Sequence, residues 1–204
     1  MTGRQLAMQL AGTIRHDGAG GVADDLADPA GLTAWLADHA ELLPEVAGPG
    51  RIPADEQTRS AVVAVRSATR ALFARTVPGR PSRADEHRLP PIADAVAILN
   101  AASAADPVAP ALNWSSGSAP AVELHSASND PLTRLLATLA RAAFDFLTGP
   151  DRDRLRACTA PRCVRYFLQG HGRQEFCKPA CSNRARAARH YDRRHPERSN
   201  LSLG

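Results

Sequence analysis

Cys158, Cys163, Cys177 and Cys181 are the only cysteines in the 204 residues, arranged as Cys-x4-Cys-x13-Cys-x3-Cys. Two close thiol pairs joined by an insert that can fold back form the donor set of a tetrahedral metal. Each pair supplies half of the coordination shell. Four thiolates close that shell and leave no position for a substrate, so the expected chemistry is structural, with Zn2+ as the metal. A disulfide pair, buried free thiols and an iron–sulfur cluster could use the same residues. The paired clustering and a reducing compartment favour zinc. His171 could replace a cysteine, but with four thiols present it reads as a turn residue.

These ligands need elements to hold them. Cys158 and Cys163 bracket a short loop. Val164, Tyr166 and Leu168 alternate before the turn Gly170-His171-Gly172, and Phe176 follows, which predicts a small hairpin inside the insert. Cys177 and Cys181 are spaced i, i+4, so both can face a metal from the start of a helix whose first turn suits Pro179. Knuckle, hairpin and ligand-bearing helix make a treble-clef-like unit. A tail of about 50 residues buries little core, and zinc adds roughly 10–16 kcal/mol of apparent binding free energy in small fingers.

The segment after Cys181 is basic and rich in helix formers. Arg186, Arg189 and Arg193 share one helical face near Ser182, while Arg184 lies on another. This row, with Arg194, is the candidate phosphate contact of a duplex-DNA partner, and Asn183 or an arginine could reach a base edge. Asn183 and Arg184 lie so close to the ligands that hydrogen bonding to the knuckle or to a ligand sulfur is an equal alternative. A solvated helix face is the plain reading of the arginines.

Charge is distributed unevenly. Residues 151–204 hold 13 Lys/Arg against 5 Asp/Glu, a net of +8, whereas residues 1–150 hold 12 against 16, a net of −4. A basic tail on an acidic body is the layout of a nucleic-acid arm joined to another module. Hydrophobic residues make up 44% of the chain but aromatics only 4%, so alanine and leucine must do the packing, which favours helices. No apolar run approaches the length of a membrane span. The opening MTGRQLAMQLAGTIRH does not read as a signal peptide, since Gln5 and Gln9 break its apolar stretch. The expected location is the cytoplasm.

Periodicity predicts a helix over residues 3–15 (Leu6, Leu10, Ile14), ended by a glycine cluster at 18–21. Asp28-Pro29 starts a second helix that carries Leu32, Trp35, Leu36, His39, Leu42 and Leu43 on its apolar face. After a loop at 44–53, a long helix runs from about Ala54 to Thr76, and 77–90 form a linker or loop. Ile92, Val96 and Leu99 mark another helix. Leu112, Trp114, Val122 and Leu124 flank a Ser/Gly turn and predict a β-hairpin over 111–125. Asp130-Pro131 caps a leucine-rich helix that Gly149-Pro150 ends. The expected fold is mainly α: a multihelical N-terminal domain, 1–150, with one β-hairpin, then a small treble-clef-like zinc finger with a basic C-terminal helix, 151–204.

The run Cys158-x4-Cys163-x13-Cys177-x3-Cys181-Ser182-Asn183-Arg184 resembles the CGNR zinc finger of bacterial proteins, whose usual N-terminal partner is an ABATE-type domain. Leu6-Ala7-Met8-Gln9-Leu10-Ala11-Gly12-Thr13 resembles that domain's opening motif, and Asp151-x3-Leu155-Arg156-x-Cys158 resembles the entry to the finger. Ser182 stands for the signature glycine and Phe176 for the usual tryptophan. Gln9 and Gly12 replace polar positions, Asp and Asn in the common form. The resemblance implies a stress-induced transcription regulator.

The expected function is therefore that of a DNA-binding transcriptional regulator. The body would sense a small-molecule effector or mediate homodimer formation. The alternative is a zinc-stabilised protein-interaction or ligand-sensing module without DNA contact. The sequence offers no nucleophile elbow, phosphate-binding glycine loop, His-Glu-x-x-His motif or open metal shell, so an enzyme is not expected.

Overall fold

In the computed structural model, residues 2–18, 21–43, 52–53, 55–78 and 83–194 are described. Residues 44–51 of the expected loop, the helix start at Ala54, the centre of the 18–21 glycine cluster, residues 79–82 of the linker and His195 lie outside these residues.

Local sequence sets the helix starts. The Asp28 carboxylate accepts from Gly31 N (2.8 Å), with Pro29 at the first position of α2, Pro29–Asp38. Asp55 accepts from Thr58 N (2.8 Å) at the head of α3, Glu56–Thr76, and Asp130 from Thr133 N (2.9 Å) at the head of α5, Pro131–Thr148. Each cap satisfies an amide that the helix leaves unpaired, which contributes about 1 kcal/mol. Helix α1 spans Thr2–Ala11 and α4 spans Ile92–Ala104.

α5 is the central post. Its buried face, including Leu135, Leu139, Ala140, Ala143 and Phe146, packs against α1, α3 and α4. Alanines let the helices approach, and the few aromatics concentrate at one point. Phe73 of α3 lies 4.7 Å from Phe146, centroid to centroid, and meets the edge of Tyr166 at 5.6 Å. α4 is apolar almost all round, yet only Ala95 and Leu99 are buried; Ile92 and Val96, whose spacing with Leu99 marked the helix, are exposed.

Two expectations about strands are corrected. The first helix ends at Ala11, not at residue 15. Gly12 N still bonds Met8 O (2.9 Å), Thr13 Oγ1 turns back to Leu10 O (2.8 Å), and β1, Ile14–His16, pairs antiparallel with β2, Val22–Asp24. Ile14 is buried in either conformation, which is why its spacing from Leu10 read as helix.

In the tail, β6, Tyr166–Leu168, does not pair across the turn at 170–172. Its partner is β5, Leu155–Ala157, on the far side of the first cysteine knuckle. The turn is held instead by side chains: Gln174 accepts from Gly170 N (2.9 Å), and Gln169 Nε2 donates to the carbonyls of Gly172 and Gln174 (both 3.2 Å). These glutamines take the backbone groups that a second strand would need.

The larger hairpin forms as expected but extends further, with β3, Val108–Asn113, in register with β4, Ala121–Ser126. Gly117, at φ +84, makes its turn. The architecture is mainly α: six α-helices among the described residues, three antiparallel strand pairs and a small finger-like tail. No described helix is long and apolar enough to cross a membrane.

Candidate metal centre

The knuckle after β5 is a tight turn. Cys158 N donates to Arg165 O (3.0 Å) and Cys163 N to Ala160 O (3.0 Å), while Arg162 takes a left-handed conformation at φ 58. Thr159 joins the two halves through its N–H and hydroxyl, both donated to Glu175 O (3.4 and 3.3 Å). The second pair sits at the root of α6, Pro179–Arg194, as the i, i+4 spacing predicts. The four Sγ atoms lie within 4.8 Å of one another, with Cys163–Cys177 at 3.9 Å, Cys181–Cys163 at 3.8 Å and Cys177–Cys181 at 3.5 Å.

Those separations distinguish a disulfide from a metal site. A disulfide needs about 2.05 Å between sulfurs, and none is formed. A tetrahedron with bonds of about 2.3 Å places its thiolates about 3.8 Å apart. The donor set therefore fits a tetrahedral metal. Phe167, Phe176 and Ala160 pack around it and shield it from water. His171 lies in the exposed turn and is outside the quartet.

Protons and metal compete for these sulfurs. S–H donation from Cys163 and then Cys177, helped by the Cys177 N–H, holds the Cys158 thiol far below its usual range. Bonds to Cys158, together with burial, push Cys163 up to about 11 and Cys177 further still. A metal entering the quartet must therefore displace the protons that Cys163 and Cys177 hold.

Around the sulfurs, the structure places each remaining candidate. Arg184 points back: Nη2 donates to Cys181 Sγ (3.5 Å) and Nε to Pro161 O (3.0 Å). It clasps both halves of the quartet and offsets thiolate charge. Asn183 is exposed, and its Oδ1 accepts from Arg186 Nη2 (2.7 Å). Arg186, Arg189, Arg193 and Arg194 are exposed, and the first three flank a shallow groove with Ala187 and His190. Among the described residues of α6, Cys181 and Ala185 near its root are the fully buried ones.

Sequence reasoning missed two buried arginines, the second of which seats this tail. Arg66 and Arg70 of α3 are both 2% exposed. Arg66 forms a two-pronged ion pair with Asp24 and also reaches Thr13 Oγ1. Burial opposes charge on Asp24, but the Arg66 guanidinium and the Leu26 N–H outweigh it and hold the carboxyl below its usual range.

Arg70 donates one nitrogen to Ala11 O, at the end of α1, and another to Val164 O (2.8 Å), next to the ligand Cys163. Its guanidinium lies 5.0 Å above the ring of Tyr166, whose hydroxyl donates to Arg70 O (3.4 Å). The signal available in the sequence was a pair of arginines one helical turn apart on the face of α3 next to Val62, Val65 and Phe73. Leu155 and Tyr166 complete the seam by entering the large core.

Residues 4–150 match the ABATE family, described as a putative stress-induced transcription regulator. The chain belongs to the ABATE family. Residues 154–194 match the CGNR zinc finger, so the quartet and α6 fall within a recognised finger on the ABATE body. No curated protein matches the chain.

Proposed function

We propose that this ABATE protein is a cytoplasmic, non-enzymatic transcription regulator that binds duplex DNA through α6, with a structural Zn2+ held by Cys158, Cys163, Cys177 and Cys181. Residues 1–150 would form the sensing or self-associating unit and 151–204 the binding unit. One observation carries the reading: a metal-competent quartet clamps the root of a helix whose exposed remainder displays Arg186, Arg189, Arg193 and Arg194. The row Arg186–Arg193 runs about 10 Å along the axis, and a helix fits the roughly 12 Å major groove. Arg184 is taken up by Cys181 and Pro161, so its role on this reading is to hold the finger.

The test is selection of genomic fragments by the zinc-loaded chain at low and physiological salt. A shared motif retained at physiological salt supports the proposal. Arg189→Ala with Arg193→Ala should weaken binding and reduce the salt slope by about two, with zinc content unchanged. Binding that vanishes with salt and enriches nothing overturns sequence-specific regulation and leaves a protein-interaction module.

A further inference from the structure

The β3–β4 hairpin has two unlike faces. Residues paired across the ladder share a face and alternate along it. The register therefore puts Val108, Pro110, Leu112, Val122 and Leu124 on one side, with Ser126 at the root. The other side carries Ala109, Ala111, Asn113, Ala121, Glu123 and His125, where Asn113 Nδ2 donates to Glu123 Oε1 (2.8 Å). An amphipathic hairpin turns its apolar side towards a core, but this one does not. Leu112 is 68% exposed, Val122 66% and Leu124 45%, and Trp114, just beyond β3, is 69% exposed.

From this surface we infer that two copies of the chain associate through their hairpins, apolar face to apolar face about a two-fold axis. Three observations point to a second copy. The first is area. Those four side chains leave on the order of 500 Å² per copy in water, so facing copies remove about 1,000 Å², the lower bound of a specific contact.

The second is charge. Residues 1–150 carry a net of −4, which opposes self-association, yet the hairpin's apolar face holds no charged side chain. Like surfaces can meet there without repulsion, and nucleic acid gains nothing from it.

The third is shape. At its base the face opens into a cleft of about 360 Å³ between the hairpin, α1 and α5, walled by Leu6, Leu43, Val122 and Leu124. That volume exceeds the roughly 150 Å³ that accepts a benzene ring. The exposed Asp145 carboxylate on its wall supplies an acceptor for an indole N–H. A projecting Trp114 and a recess on the same surface are what a self-complementary, two-fold exchange requires.

The inference does not rest on DNA binding, and its test needs no DNA. Sedimentation equilibrium of the full, zinc-loaded chain should show a dimer forming in the micromolar range. Trp35 is buried, so a blue shift in indole emission that grows with concentration reports Trp114 and should be absent in Trp114→Ala.

Leu112→Glu and Leu112→Lys should each weaken the dimer at least ~100-fold, and mixing the two should restore association. Zinc content and the melting temperature at low concentration should not change, because Leu112 is already in water in the monomer. A chain that stays monomeric with unshifted Trp114 emission overturns the inference. So does a dimer indifferent to both charged variants, since its contact must then lie elsewhere.

Discussion

Arg70→Met tests whether body and finger are one structural unit. The substitution keeps most of the side-chain volume but removes two charge-assisted bonds, to Ala11 O and Val164 O, and the guanidinium above Tyr166. Each lost bond leaves a buried carbonyl unpaired at about 1–3 kcal/mol, and the ring contact adds about 1 kcal/mol. Sparing the guanidinium its desolvation offsets part of this, for a net loss of about 4 kcal/mol.

At 2–4 °C per kcal/mol for a chain of this size, the melting temperature should fall by about 10 °C. Arg70→Lys, a point charge that cannot fork, should recover less than half of the loss. Scanning calorimetry with zinc and then with excess chelator separates the two bonds. With the finger metal-free the Val164 bond is lost in both proteins, so the shift should shrink to about half. A shift below about 2 °C, or an equal shift in both conditions, refutes the strut.

Cys177→Ser or Cys181→Ser should abolish stoichiometric zinc, read by atomic absorption on the dialysed protein; full retention in both would end the four-thiolate assignment. Arg184→Ala should weaken zinc binding by about 10–100-fold, measured by competition with a chromophoric chelator; unchanged affinity would return Arg184 to the DNA-contact candidates. Asp24 and Asp106 have lowered folded values: burial opposes both, while Arg66 and the Leu26 N–H stabilise the first and Ser126, the Ser128 N–H and Arg141 the second. Stability from a depressed carboxylate is complete above its unfolded value of about 3.9 and disappears as pH falls through the lower folded one. The melting temperature of the metal-free protein should therefore hold down to about pH 5 and drop below pH 4, less steeply in Asp24→Asn.

The clustering of the four cysteines was readable from the sequence because its information is local: two pairs, a short insert and a helix start that Pro179 marks. The heads of α2 and α5 were readable for the same reason, each resting on one aspartate and the proline after it. Arg66 and Arg70 were not, because an arginine in a helical pattern reads as solvent-facing unless its partners are known. Asp24, Thr13, Ala11 and Val164 are all distant in sequence from α3. The tail's pairing was misread because Tyr166 and Leu168 show that a strand exists but not which segment bonds to it. β5 became the partner because Leu155 and Tyr166 both belong to the large core. The larger hairpin was recognised from its alternation, but alternation does not reveal which side faces the protein.

Because α6 is buried at Cys181 and Ala185 and displays exposed arginines beyond them, a metal held by the quartet would fix an angle as well as a fold. Each residue along the helix advances the azimuth by about 100°. One alanine inserted between Ala185 and Arg186 would swing the whole arginine row by that amount, leaving every sulfur and every charge intact. The same insertion after Arg194 would change nothing upstream. Net charge would remain the same in both cases, and only the first would aim the row at a different side of whatever it meets.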